Sequence, residues 1–204
     1  DLMEQGLSRC AVAATVASNR SVFSTPEAAD LLCLVHALGS PADAGLVHSA
    51  LSSRLFQKTA AELSALSDDE TRDQSWMSIF GDAHEQWRRG GFMSAVDRLF
   101  WDHGCRDRIL SAGGKRALTN MEHLCELTSA HASVRGTTVT QTVTWYTEQH
   151  GEACATRGAA TVPEEHQLRP ETDESAVHIV TVHKSKGLEF PVVFCPFMWG
   201  GSLR

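Results

Sequence analysis

The chain has 204 residues, 42% of them hydrophobic, a net charge of −7, six cysteines and ten histidines. That length suits one domain or one and a half with a sizeable core, and the acidic balance argues against strong unaided binding of nucleic acid, which clustered Lys and Arg normally carry. No apolar run reaches the ~20 residues of a membrane helix, and the acidic, amphipathic start Asp1-Leu2-Met3-Glu4 does not read as a signal peptide.

Residues 2–8 read as the end of a helix and Ala11 to Val16 as a short strand. Ser24 and Thr25 are cap residues, Pro26 suits a first helical position, and Glu27 stands three after Ser24 as in a capping box. Ala28, Leu31, Leu32, Val35 and Leu38 then recur at helical spacing, and Gly39 stops the helix. Residues 1–39 therefore read as strand plus helix of an α/β layer.

From Ser40 to about Gly151 the pattern is helical. Ser40-Pro41 opens a helix carrying Val47, Leu51 and Leu55, and Thr59-x-x-Glu62 is a second capping box. Trp76, Ile79, Phe80, Ala83 and Trp87 form one apolar stripe, closed by Gly90-Gly91. Phe92, Ala95, Val96, Leu99 and Phe100 form another, closed by Gly104. Ile109 and Leu110 precede Gly113-Gly114; Leu118, Met121, Leu124, Cys125 and Thr128 follow. Such stripes are expected in a core. Thr137 to Tyr146 is β-branched and alternating, which by propensity reads as strand, although Thr138-x-x-Gln141 offers a helix capping box. Residues 152–175 are acidic and rich in Pro, Glu and Thr, and read as a loop or linker. Ala176 to Val182 is a strand, and Val192 to Cys195 a second one.

Cys10, Cys33, Cys105, Cys125, Cys154 and Cys195 include no C-x-x-C pair, and the histidines complete no ligand quartet with them, so buried free thiols are expected and no metal site. There is no G-x-x-x-x-G-K-[ST] phosphate loop and no acidic pair after a hydrophobic strand. No catalytic residue is expected within these 204 residues.

The chemistry concentrates in Ile179-Val180-Thr181-Val182-His183-Lys184-Ser185-Lys186-Gly187-Leu188-Glu189-Phe190-Pro191-Val192-Val193-Phe194. Read as strand, polar turn and strand, it puts Thr181 and His183 on one strand face. Two lysines and a glycine in the turn suit an anion: glycine admits close backbone approach and lysine supplies a point charge.

The spelling T-x-H-x-x-K-G-L-E-F-P-x-V resembles motif V of superfamily-one DNA helicases of the UvrD/Rep/PcrA kind, and its wider context is most similar to the RecB branch. Phe23, Glu27 and Asp30 match the segment that follows motif IV in that family, with Val22 where an aromatic is usual. The resemblance implies a mostly α fold with a small α/β part. Residues 1–39 and 176–204 would be two pieces of a RecA-like (P-loop NTPase) domain, 2A, bracketing a helical insert, 2B, at 40–175. It implies a helix from about Val139 to His150. Thr181 and His183 would contact DNA, Gly187 and Glu189 the nucleotide, and Lys186 would couple the two sides. Lys184 is a possible phosphate contact or a solvated charge. Glu27 and Asp30 read as charges at a helix start, and Arg20 as a surface arginine.

The implied whole is a bacterial, cytoplasmic, ATP- and Mg2+-dependent DNA helicase–nuclease that works on duplex ends with RecC-like and RecD-like subunits, of which this chain would be an excised, by itself inactive piece. The alternatives are a UvrD/Rep-type helicase without nuclease, an AddA relative, or a purely protein-docking helical module.

Overall fold

The computed structural model describes residues 2–10, 12, 14–16, 20–155, 162–169, 177–180, 182, 185–187 and 189–196. The chain divides into two compact units, one of residues 1–17 and 172–204, the other of residues 18–171.

The smaller unit contains helix α1 (Leu2–Arg9), strand β1 (Ala14–Val16) and strand β2 (Val177–Ile179). The strands pair in parallel, Ala14 opposite Val177 and Val16 opposite Ile179. Parallel strands need a long crossover between them, because a tight turn reverses the chain; here the whole larger unit is inserted at that crossover. The two ends of the chain thus contribute to one ladder.

The expected strands are longer than the observed ones. The described ladder runs from the Ala14–Val177 pair to the Val16–Ile179 pair. No strand forms among the described residues of 189–196, so the second strand expected at Val192 to Cys195 is corrected. Val192, Val193 and Phe194 are 70%, 65% and 85% exposed. β-propensity without a neighbouring ladder cannot satisfy the backbone of an extended segment.

The larger unit is helical: α2 (Pro26–Gly39), α3 (Ala44–Ser52), α4 (Ala60–Asp68), α5 (Glu70–Gly90), α6 (Phe92–Asp102), α7 (Cys105–Ala132) and α8 (Val139–Ala155). Helix α2 is its centre. Thr25, not Ser24, is the N-cap, accepting the Ala28 N–H at 3.3 Å, with Pro26 in the first turn. Leu31, Leu34, Val35, Ala37 and Leu38 are fully buried, against α3, α5, α7 and α8. A helix apolar on most of its circumference belongs inside a bundle, and each fully buried leucine contributes about 1.5–3 kcal/mol. Gly39, the last residue of α2, lies close against α8: a Cβ there would stand 2.7 Å from the Val143 side chain. The boundary between the two compact units falls at 17/18, ahead of α2.

The glycines punctuate the bundle as their spacing predicts. Gly91 and Gly104, at φ +88° and +63°, separate α5 from α6 and α6 from α7, and Gly114, at φ +67°, breaks α7 in two. Thr59 and Glu62 form the predicted capping box of α4. Helix α3 starts three residues later than Pro41, where Asp43 accepts the Leu46 N–H. Helix α8 overrides its β-branched composition. Thr138 and Gln141 cap it reciprocally, at 2.8 and 3.2 Å, and Thr142 and Tyr146 are buried. Burial against α2 outweighs a propensity difference of a few tenths of a kcal/mol per residue. The apolar stripes are core, as expected; Trp101, which belongs to neither stripe, is 84% exposed on α6.

Of the loop expected at 152–175, α8 takes residues 152–155, and residues 162–169 form a loop held against the helical unit. They contain a 3₁₀ turn, Glu164–His166, and Gln167 pairs antiparallel with Ser21. Leu168 packs on the core.

Candidate functional site

The polar turn near the C-terminal end is built from Ser185-Lys186-Gly187. The Ser185 hydroxyl donates to the Val182 carbonyl at 2.9 Å and closes the turn. Gly187 has φ +86°, a conformation costly for residues with a Cβ, and nothing lies within 4 Å of where a Cβ would stand. One flank of the glycine is therefore open to an approaching group. Lys186 and Glu189 are both exposed. Thr181, His183 and Lys184 lie outside the described residues, and so does the proposed shared face of Thr181 and His183. Val182 stands in the turn, 82% exposed, so the alternation of the ladder does not extend to it.

Glu27 stands in the first turn of α2, as read from the sequence, and with Asp30 it also binds an arginine. Arg54 Nε donates to Asp30 at 2.6 Å and its terminal nitrogen to Glu27 at 3.2 Å. Asn120 donates to the second Glu27 oxygen at 3.0 Å. Glu27 is 6% exposed, so its charge is held by Arg54 and not by solvent. Burial pushes the Asp30 carboxyl above its usual range, against the opposing pull of Arg54. The cluster joins α2, the turn after α3 and α7. Arg54 escaped the sequence reading because its partners stand 24 and 27 residues away. Its one available signal was an isolated arginine among apolar Leu51, Leu55 and Phe56.

The cysteines are free, but Cys10, Cys154 and Cys195 are exposed, which corrects the expectation that all are buried. Cys105 and Cys125 are buried, and desolvation raises both thiols, Cys105 to about 11. They are inert packing groups at neutral pH. Among the described residues no group of three or more His, Cys, Asp or Glu could hold a metal ion. No described helix is long and apolar enough to cross a membrane.

Residues 112–201 match the UvrD-like helicase C-terminal domain. The RecBCD enzyme subunit RecB of Haemophilus influenzae is 30% identical over 97% of the chain and 16% of its own length. RecB of Escherichia coli K12 is 32% identical over 89% of the chain and 15% of itself. RecB of Mycobacterium tuberculosis is 32% identical over 97% and 17%. The chain spans only about a sixth of the length of these relatives, yet the similarity covers both of its compact units. The chain is a RecB-like segment of the UvrD helicase family.

Proposed function

We propose that this chain is the part of an ATP-dependent DNA helicase–nuclease, of the exodeoxyribonuclease V beta kind, that carries motif V and a regulatory helical insert. Residues 1–39 and 176–204 would be the two pieces of RecA-like domain 2A, and residues 40–175 the 2B insert. The observation that carries the reading is the Lys186-Gly187 turn, with its glycine at φ +86°, following a parallel ladder. In this family such a turn lies where nucleotide and single-stranded DNA meet.

The residues fit one edge of a nucleotide. Gly187 leaves open space beside the backbone, and the exposed Glu189 carboxylate accepts hydrogen bonds from ribose hydroxyls. Lys186 would link this edge to the DNA side, where Thr181 and His183 would touch the strand and Lys184 would meet a phosphate or solvent. ATP with Mg2+ supplies the energy of unwinding in such a protein. Its phosphate loop and its remaining catalytic groups would come from sequence other than this chain. DNA ends would be the substrate, RecC-like and RecD-like subunits the partners, and a bacterial cytoplasm the compartment.

The test is a pair of variants in a full-length RecB-like protein carrying this segment. Glu189→Ala should raise KM for ATP several-fold, since a lost hydrogen bond to a hydroxyl costs about 1 kcal/mol. His183→Ala should weaken DNA affinity and the DNA-stimulated part of ATP hydrolysis, a stacked base contact being worth on the order of 1–3 kcal/mol. Unchanged KM in the first and unchanged DNA affinity in the second would refute the assignment.

A further inference from the structure

Residues 162–169 lie across the helical unit as a strap. The Leu168 N–H donates to the Arg20 carbonyl at 3.1 Å, beside the Ser21–Gln167 bridge. The strap therefore ties residues 20–21, where the chain enters the helical unit, to residues 167–168, where it leaves. Arg116 donates to the Arg169 carbonyl at 2.8 Å, and Arg169 pairs with Glu126.

Two histidines complete the attachment. His123 of α7 donates from Nε2 to the Glu165 carbonyl at 2.8 Å. His166, on the strap, meets the ring of Phe23 edge-on at 5.0 Å, while His150 of α8 donates from Nδ1 to the Phe23 carbonyl. His123 is 5% exposed, and its Nδ1 is buried without a hydrogen-bond partner. With Nε2 as donor, the neutral ring carries its proton there and Nδ1 is bare. A second proton would create a buried cation with no acceptor for the new N–H.

We propose that the strap is a proton-operated latch, closed while His123 and His166 are neutral and released when they take up protons. The charged groups facing His123 are Arg169 and His166, which oppose protonation, and Glu126, which favours it together with the hydrogen bond to the Glu165 backbone carbonyl. His166 faces Glu165, with Nε2 3.9 Å from its carboxylate. Burial is the largest influence on both rings and holds both below the ordinary imidazole range. In the released strap each ring regains its ordinary pKa of about 6.5. The closed form is thus fully favoured above that value and loses ground as pH falls through it, by at most about tenfold per pH unit for each histidine.

Hydrogen–deuterium exchange of the Leu168 amide in the 204-residue chain tests this, with opening constants corrected for the intrinsic exchange rate. The opening constant should rise about fivefold or more between about pH 7.5 and about pH 5.5, while the buried Leu124 amide stays protected. In the double variant His123→Gln, His166→Phe, glutamine keeps a donor and phenylalanine keeps an aromatic edge on Phe23; the pH response should vanish. Proton NMR of the unmodified chain provides a second reading, in which both rings titrate below the ordinary imidazole value. A flat response in the unmodified chain, equal loosening at Leu124, an undiminished response in the double variant, or titration at or above the ordinary value would each overturn the latch.

Discussion

Arg54 holds Asp30 from two directions: its Nε meets one carboxylate oxygen at 2.6 Å, and its own backbone N–H meets the other at 3.2 Å. The side chain also reaches Glu27, so one guanidinium balances two carboxylates on the same helix.

Removing Arg54 leaves Glu27 and Asp30 facing each other across one turn of α2. Arg54 is 39% exposed, and water replaces part of what it supplies. Arg54→Ala should cost about 1–3 kcal/mol in urea unfolding near neutral pH. The loss should shrink on acidification. The Asp30 carboxyl is already above its usual range through burial, and without Arg54 it would rise further. A carboxyl with a raised folded pKa stabilises the fold below its ordinary value and loses that contribution as pH rises through the folded value. The variant therefore recovers stability relative to the parent as Asp30 takes up its proton. A penalty independent of pH would remove this electrostatic account.

The second prediction concerns the seam between α2 and α8. The Tyr146 hydroxyl donates to the Ala28 carbonyl at 3.1 Å inside a fully buried environment. Burial drives the phenol far above its ordinary pKa, so it remains a neutral donor throughout the accessible range. The Phe23 ring meets Tyr146 and Trp145 edge-on at 5.3 and 5.7 Å. Tyr146→Phe keeps these ring contacts and removes the hydroxyl alone, costing about 1 kcal/mol. Tyr146→Ala also empties the core and should cost about 3–5 kcal/mol. Equal losses in the two variants, measured by denaturant unfolding, would show that the hydrogen bond and not the ring holds the seam.

These two contacts mark where sequence reading succeeds and where it stops. Leu31, Phe80 and Leu124 were legible as core because helical periodicity repeats locally. Gly91, Gly104 and Gly114 were legible because positive φ is a local demand. The capping box Thr59–Glu62 spans three residues and is visible in the string. Arg54 and Asn120 were not legible, because their meaning lies in partners 24 to 93 residues away. The strap at 162–169 reads as linker because it has no periodicity of its own; contacts from α7 and from residues 20–23 order it. In the candidate site, the lysine–glycine turn was visible as a spelling, while the extent of the flanking strands depended on neighbours that the spelling does not contain.

The last prediction isolates the backbone of that turn. Gly187 adopts φ +86°, and a Cβ would meet nothing within 4 Å. A substitution there acts through conformation, without a clash inside the chain. Alanine at positive φ costs about 1–2 kcal/mol, whereas asparagine tolerates that region better. In a full-length RecB-like protein, DNA-stimulated ATP hydrolysis should therefore fall in the order Gly187, Gly187→Asn, Gly187→Ala, with thermal stability of the helical unit unchanged. If the open flank receives a nucleotide, both variants should also raise KM for ATP, because each introduces atoms where the ligand approaches. A loss that tracks the conformational order alone, with KM unaltered, would assign the glycine to turn geometry and leave nucleotide contact to Glu189. Full activity in Gly187→Ala would exclude both roles.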